Sequence, residues 1–326
     1  MRILVLGGTL FLSKAVATEA VRRGHDVTCA CRGTSGAVPD GATHLPVDRN
    51  EPLPDLGAYD AVVDVGRHPS RVRAAVEAVP DAHWVFVSTI SVYAENATPG
   101  GHPGATPEHA PIHEDVDLAV DMEAYGPMKV SCEQAVLAGA ASAMVIRPGL
   151  IVGPGDPSGR FTYWPRRLRA GGEVLAPGAP DDTVQVVDVR DLADWIVDSA
   201  ESGRTGVVDG IGPVTRFADL LDEVASGVGA EASFTWVDQD FLSGQEVQPW
   251  AGPDSLPLWL PRPEYDGMLA HDADLPREAG LRTRTVAESA RDTLAWLDAT
   301  PDAPVSGIGP GREQELLTAW HSRTNP

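Results

Sequence analysis

The chain begins with a short, unbroken apolar run at residues 3–6. It then passes through Gly7 and Gly8 into a stretch whose apolar positions recur at helical spacing to about Arg23. Gly24 is the stop signal, and residues 25–31 form a second run of strand character. Strand, glycine turn, helix and strand in this order predict a βαβ unit. The alternation continues downstream. Residues 44–48 predict a short third strand ending in Asp48, residues 59–65 a buried fourth, residues 71–79 a helix, and residues 83–87 a fifth strand leading into Ser88 and Thr89. Buried strands alternating with helices predict an α/β fold built on a doubly wound parallel sheet.

The pattern then loosens. Residues 95–121 are rich in Pro, Gly, His and acids and predict a long loop near the carboxyl edge of the sheet. A helix is expected from about Tyr125, with Pro127 in its first turn, where a missing N–H is harmless. Residues 160–169 mix aromatics with four arginines. Helices are predicted at 191–199, at 215–225 with Thr215 as N-cap, at 288–297 and at 313–320, and a strand at 234–237. Residues 248–265, crowded with Pro and Trp, read as an irregular, lid-like loop. The expected division is a dinucleotide-binding domain at 1–153, with returns at about 184–210, and a smaller lobe over 154–326 that takes the substrate.

Composition narrows the function classes. Hydrophobic residues are 43% of 326, enough for a large core and against global disorder. No run approaches the roughly 18 apolar residues of a membrane span, so no membrane partner is expected. The chain starts directly on a strand, with no signal peptide, and its three cysteines, Cys29, Cys31 and Cys132, form no disulfide framework and no metal-ligand spacing. A cytoplasmic protein without a metal is the expectation. The net charge of -22, from 25 basic and 47 acidic residues, makes nucleic acid a poor partner.

The chemistry gathers where strands end. Gly7 and Gly8 followed by a helix start bring backbone N–H groups and a positive helix end to one point, a ready pyrophosphate site. At the end of the second strand an acid favours NAD and an arginine favours NADP; here Cys31 fills the acidic slot and Arg32 follows, which leans to NADP. Asp48 is placed to accept from an adenine amino group. Gly7, Arg32, Asp48, Gly66 and Thr89 all fall at the carboxyl edge of the predicted sheet, where such folds bind ligands. Tyr125 and Lys129, four apart on a helix, share one face, and a neighbouring ammonium lowers a phenol's pKa.

These residues resemble the short-chain dehydrogenase/reductase superfamily in its extended or atypical branch, the NAD-dependent epimerase/dehydratase family. The matching segments, in the family's order, are Gly7-Gly8-Thr9, the Val87–Tyr93 segment, Tyr125-x-x-x-Lys129, Arg147-Pro148-Gly149 and the segment around Asp188. The resemblance implies a Rossmann-type fold and an enzyme transferring hydride between NADP, or NAD, and a small-molecule carbonyl or alcohol. It implies Tyr125 as general acid or base, Lys129 as its partner and a ribose ligand, and Thr89 as the group orienting the substrate oxygen. The implied cofactor set is Gly7, Gly8, Thr9, Leu10, Phe11, Leu12, Arg32, Asp48, Val65, Gly66, Ser88, Tyr125, Lys129, Pro148 and Gly149. Tyr93, Arg160, Phe161 and Trp164 are the expected substrate-side residues, the aromatics as pocket walls and Arg160 for an anion, with lobe-core packing as the other reading.

The sequence also departs from the family. Leu10 and Ser13 stand where the later glycines of the turn are usual, and Val184 stands where nucleotide-sugar enzymes carry a diphosphate-binding arginine. Two other readings follow: a nucleotide-sugar epimerase or dehydratase with tightly held NAD, and a non-catalytic NAD(P)-sensing protein. A monomer or a homodimer is expected.

Overall fold

The computed structural model describes residues 1–324. The predicted parallel sheet is present, with seven strands. These are β1 (Arg2–Leu6), β2 (Asp26–Cys31), β3 (Thr43–Pro46), β4 (Ala61–Asp64), β5 (His83–Val87), β6 (Ser142–Pro148) and an edge strand, Gly206–Gly210. Their spatial order is edge strand–β6–β5–β4–β1–β2–β3, and every neighbouring pair is parallel. The chain reverses direction across the sheet between β1 and β4, which opens a crevice at their carboxyl ends.

Alternation along the strands explains the layers. Ile3 and Val5 point to one face, where α1 (Phe11–Arg22) and α5 (Val189–Ser202) cover them with Val16, Ala17, Trp195 and Ile196. Leu4 and Leu6 point to the other, under α2 (Pro69–Ala78) and α3 (Tyr125–Gly139), beside Trp84, Phe86, Val72 and Val136. Both faces are dry, so the strands read as continuous apolar runs. A second core lies beyond β6. There α4 (Arg160–Leu168) and α6 (Phe217–Val228) pack with the parallel pair Gly172–Pro177 and Ala232–Val237 and with helix Val286–Ala299.

Several boundaries differ from the sequence pattern. The third strand stops at Pro46 rather than Asp48, because its partner β2 ends at Cys31 and turns away through Gly33 at φ 75°. Thr215 does not cap α6. Thr215 and Arg216 form a two-residue antiparallel ladder with Val184 and Thr183, and Arg216 takes the N-cap backbone position. The 248–265 segment is not wholly irregular: Gln248–Trp250 pairs in parallel with Ser255–Pro257. The 95–121 loop is tied down by the Tyr93–Glu108 bridge and by the Gly267 N–H donating to the Asn96 carbonyl at 2.7 Å. No helix among the described residues is long and apolar enough to cross a membrane.

Candidate active site

The site begins at the turn between β1 and α1. Gly7 and Gly8 sit at φ 138° and 105°, conformations that L side chains rarely adopt. A Cβ on Gly8 would lie 2.4 Å from the Cys29 sulfur, so glycine is required for packing as well as for conformation. Ser13, in the last glycine position, is buried and braces the turn. Its Oγ accepts from the Gly8 N–H at 3.1 Å and donates to the Leu10 carbonyl at 2.8 Å. The hydroxyl thus serves the chain's own turn. Leu10, in the middle position, points outward and is 54% exposed, leaving the approach to the backbone open. No side chain caps α1 and no acid lies in its first turn, so its N-terminal donors suit a phosphate.

At the end of β2, Leu6, Gly7, Cys31, Arg32, Asp48 and Arg71 line a cleft of about 160 Å³. Arg32 is exposed. Asp48 accepts from the Asn50 backbone N–H at 3.0 Å and from its Nδ2 at 2.7 Å through the same oxygen, Oδ1. Those amide hydrogen bonds, the backbone one first, hold its carboxyl below the ordinary range.

Beside the cleft stands a group that sequence reasoning missed. Asp64, fully buried at the end of β4, receives Arg49 in a two-pronged pair at 2.7 and 2.9 Å and the Gly66 N–H at 2.7 Å. This fixes Gly66, whose carbonyl accepts from the Lys129 ammonium at 2.7 Å. The signal was an acid ending an otherwise apolar strand.

Lys129 is 1% exposed and also donates to the Val87 carbonyl at 2.6 Å; its Nζ lies 4.1 Å from the Phe86 ring centroid. Burial pulls its pKa down to about 8. One turn earlier, Tyr125 starts α3. The helix approaches closely because residue 126 is glycine: a Cβ there would sit 2.0 Å from the Ser91 carbonyl oxygen. Thr89 ends the β5 loop; its Oγ1 accepts from the Ser91 N–H at 3.1 Å. The sequence expectation that Lys129 lowers the Tyr125 pKa is corrected. Burial raises the phenol above its ordinary value, opposed by a hydrogen bond with Thr89 and by the charges of Arg67 and Arg160, while Lys129 points to carbonyl oxygens. The phenol therefore keeps its proton at neutral pH.

Ser88 is buried and its Oγ finds no partner, an orphaned polar atom at the same edge. Pro148 and Gly149 end β6, where the Gly149 N–H donates to the Gly210 carbonyl at 3.2 Å. Val65 and Gly66, just past the end of β4, are half-buried.

The expected aromatic walls are corrected too. Phe161 and Trp164 are wholly buried in the lobe core, Trp164 edge-on to Phe217 and donating from Nε1 to the Pro257 carbonyl. Consecutive residues 161–165 are all buried, so this stretch of the helix is enclosed on every side, and its end, from Arg166, reaches solvent. Tyr93, 1% exposed, donates to Asp209 at 2.7 Å, and Asp209 also pairs with His271 at 3.0 Å. It belongs to a buried polar network with Arg147, which is held by Glu133 and Glu108. Of the four substrate-side residues, Arg160 alone is half-buried rather than buried, and its charge reaches the Tyr125 phenol.

Taken together, the parallel sheet, a glycine turn feeding an uncapped helix, and Thr89, Tyr125 and a buried Lys129 beside it define a dinucleotide-binding α/β enzyme. The model of the NAD dependent epimerase/dehydratase family matches residues 3–211, and the chain belongs to that family. Among its relatives is a dTDP-4-dehydrorhamnose reductase from Mycolicibacterium smegmatis (strain ATCC 700084 / mc(2)155), 26% identical over 93% of this chain and 88% of that protein. Two solved structures share the fold. A UDP-galactose 4-epimerase has a TM-score of 0.62 at 17% identity, covering 92% of this chain and 99% of its own. The Bordetella bronchiseptica enzyme WbmH, solved in complex with NAD+, has a TM-score of 0.63 at 17% identity with the same coverage.

The chain's own residues fit a nicotinamide dinucleotide. The uncapped α1 start, the orphaned Ser88 Oγ and the third N–H of Lys129 Nζ, left over after two carbonyls are served, are donors without protein acceptors among the described residues.

Proposed function

We propose that the chain is an NAD(P)-dependent oxidoreductase that reduces a small organic carbonyl, or oxidises the matching alcohol. The observation that carries this reading is the half-buried Tyr125 phenol at the start of α3, within reach of Thr89 and one turn ahead of the enclosed ammonium of Lys129; burial raises the phenol above its ordinary pKa. A bound nicotinamide dinucleotide supplies or accepts the hydride. Tyr125 donates its phenolic proton to the carbonyl oxygen, and Thr89 Oγ1 hydrogen-bonds that oxygen as charge develops. Lys129, anchored by Gly66 and Val87, holds the ribose hydroxyls with its remaining N–H. Arg32, with Arg71 across the same cleft, supports NADP over NAD.

Tyr125→Phe should cut turnover by about 10²-fold or more while dinucleotide affinity holds within about threefold. Normal turnover of an identified substrate by that variant would overturn the assignment. Arg32→Ala should weaken NADPH about tenfold and leave NADH nearly unchanged; equal losses would remove the NADP preference.

A nucleotide-sugar epimerase with resident NAD is the second reading, favoured by the names of the relatives. Against it, Val184 is buried in the lobe core, and the nearby Arg262 already serves the Thr183 carbonyl at 2.7 Å and Asp266. Mass spectrometry of small molecules released on denaturation separates the two. NAD that copurifies and does not exchange would favour the epimerase.

A further inference from the structure

Arg160 is a half-buried cation that no acid pairs with among the described residues. Its backbone is fixed with unusual care. Gly159, at φ 70°, has no room for a Cβ, which would meet the Ser306 nitrogen at 2.8 Å. The Ser306 N–H donates to the Gly159 carbonyl at 2.9 Å, and Thr162 Oγ1 donates to the Pro304 carbonyl at 3.2 Å. The start of α4 is therefore clasped by the 304–306 segment. From that anchor the guanidinium lies 4.5 Å from the centroid of Trp250, a half-buried indole whose own backbone is held at φ 70°.

Apart from that ring, the guanidinium has no hydrogen-bond or ion-pair partner among the described residues. Its Nε is buried without an acceptor. The terminal nitrogens find no protein acceptor either and keep contact with solvent. Other enclosed arginines are matched by acids, Arg49 by Asp64, Arg147 by Glu133, Arg167 by Glu313, Arg190 by Asp188 and Arg284 by Asp191, and Arg204 by the Ala279 carbonyl. The acid nearest in sequence, Asp156, turns its carboxylate to the Ser158 N–H at 2.8 Å and Ser158 Oγ at 2.9 Å instead. Asp156 is close enough for its charge to act on Arg160, yet among the described residues none of the chain's 47 acids forms a hydrogen bond or ion pair with it. A largely desolvated guanidinium without an acceptor is costly, and that cost is recovered only when an oxyanion arrives.

We propose that the substrate carries an oxyanion, a carboxylate or a phosphoryl group, that binds Arg160 with its plane set by Trp250. This rests on the carbonyl-reductase reading and names its substrate class. Arg160's charge reaches the Tyr125 phenol, so the oxyanion sits near the carbonyl rather than at the far end of a long substrate.

The first test needs no turnover. The NADPH-bound protein is titrated calorimetrically with inorganic phosphate and, separately, with acetate. Both should bind, with affinity falling about tenfold or more in Arg160→Met and less in Arg160→Lys. The tighter of the two anions identifies the group. Anions that bind wild type and Arg160→Met alike would overturn the proposal. So would a loss of NADPH affinity in Arg160→Met, because the guanidinium would then serve the cofactor. Arg160→Lys and Trp250→Phe, measured beside it, guard against a merely misfolded variant. The second test compares NADPH oxidation with matched carbonyl pairs, levulinate against 2-pentanone and dihydroxyacetone phosphate against dihydroxyacetone. Arg160→Met should raise KM for the charged member alone. Arg160-dependent anion binding with no carbonyl reduced sinks the reductase reading and keeps this one; reduction of neutral carbonyls indifferent to Arg160 does the reverse.

Discussion

Replacing Lys129 with methionine should change how the protein's stability depends on pH. The ammonium is enclosed, and burial takes its pKa from 10.5 down to about 8. Each pH unit of that drop is worth about 1.4 kcal/mol, so the charged lysine costs the native state about 3 kcal/mol relative to the unfolded chain. The sign follows from proton counting. Between about pH 8 and 10.5 the unfolded chain still binds the proton and the native state does not, so stability rises with pH across that window. Lys129→Met keeps the length and apolar stem but has no such dependence. The neighbouring Cys132 thiol, pushed up to about 12 by burial, stays protonated throughout, and other titrations cancel between the two proteins. Urea unfolding followed by tryptophan fluorescence at pH 7 and pH 10 measures both. Wild-type stability should gain about 2–3 kcal/mol over the variant between those values. A gap that does not change with pH would refute the claim that a charged lysine is stored here at a cost to the fold.

Two further substitutions probe the frame. Gly8→Ala should destabilise by about 2–4 kcal/mol, through both its positive φ and its overlap with Cys29. Adding Cys29→Ala should restore the steric part in thermal unfolding; no recovery would leave backbone conformation as the sole cause. Arg147→Met strands Glu133, which is 2% exposed, and should cost about 3–5 kcal/mol. Most of that loss should return when Glu133→Gln is added, and a silent single variant would show the pair to be idle.

The sheet and its carboxyl edge were legible because the information is local. Apolar runs of strand length, glycines at turns and a Tyr–Lys spacing of four each act within a few residues. They converge because the doubly wound topology forces strand ends together. The lobe was less legible for the opposite reason. Whether Phe161 and Trp164 wall a pocket or fill a core depends on α6, on Pro257 and on the 304–306 clasp, all distant in sequence. Two- and three-residue ladders such as Thr215–Arg216 with Thr183–Val184 carry too few positions to show a period. The direction of the Tyr125 shift was misread because helical spacing reports which residues share a face, not where a flexible four-carbon chain ends. Lys129 ends on the Gly66 and Val87 carbonyls, where β4 and β5 run out.

The brace that Ser13 places across the first turn bears on how long a dinucleotide stays. The Gly8 amide already has its acceptor inside the protein. The turn therefore offers one donor fewer to a pyrophosphate, and the grip falls chiefly to the uncapped start of α1. A shorter residence time is the expected result. That suits a co-substrate replaced at every catalytic cycle better than a prosthetic group carried for the life of the enzyme.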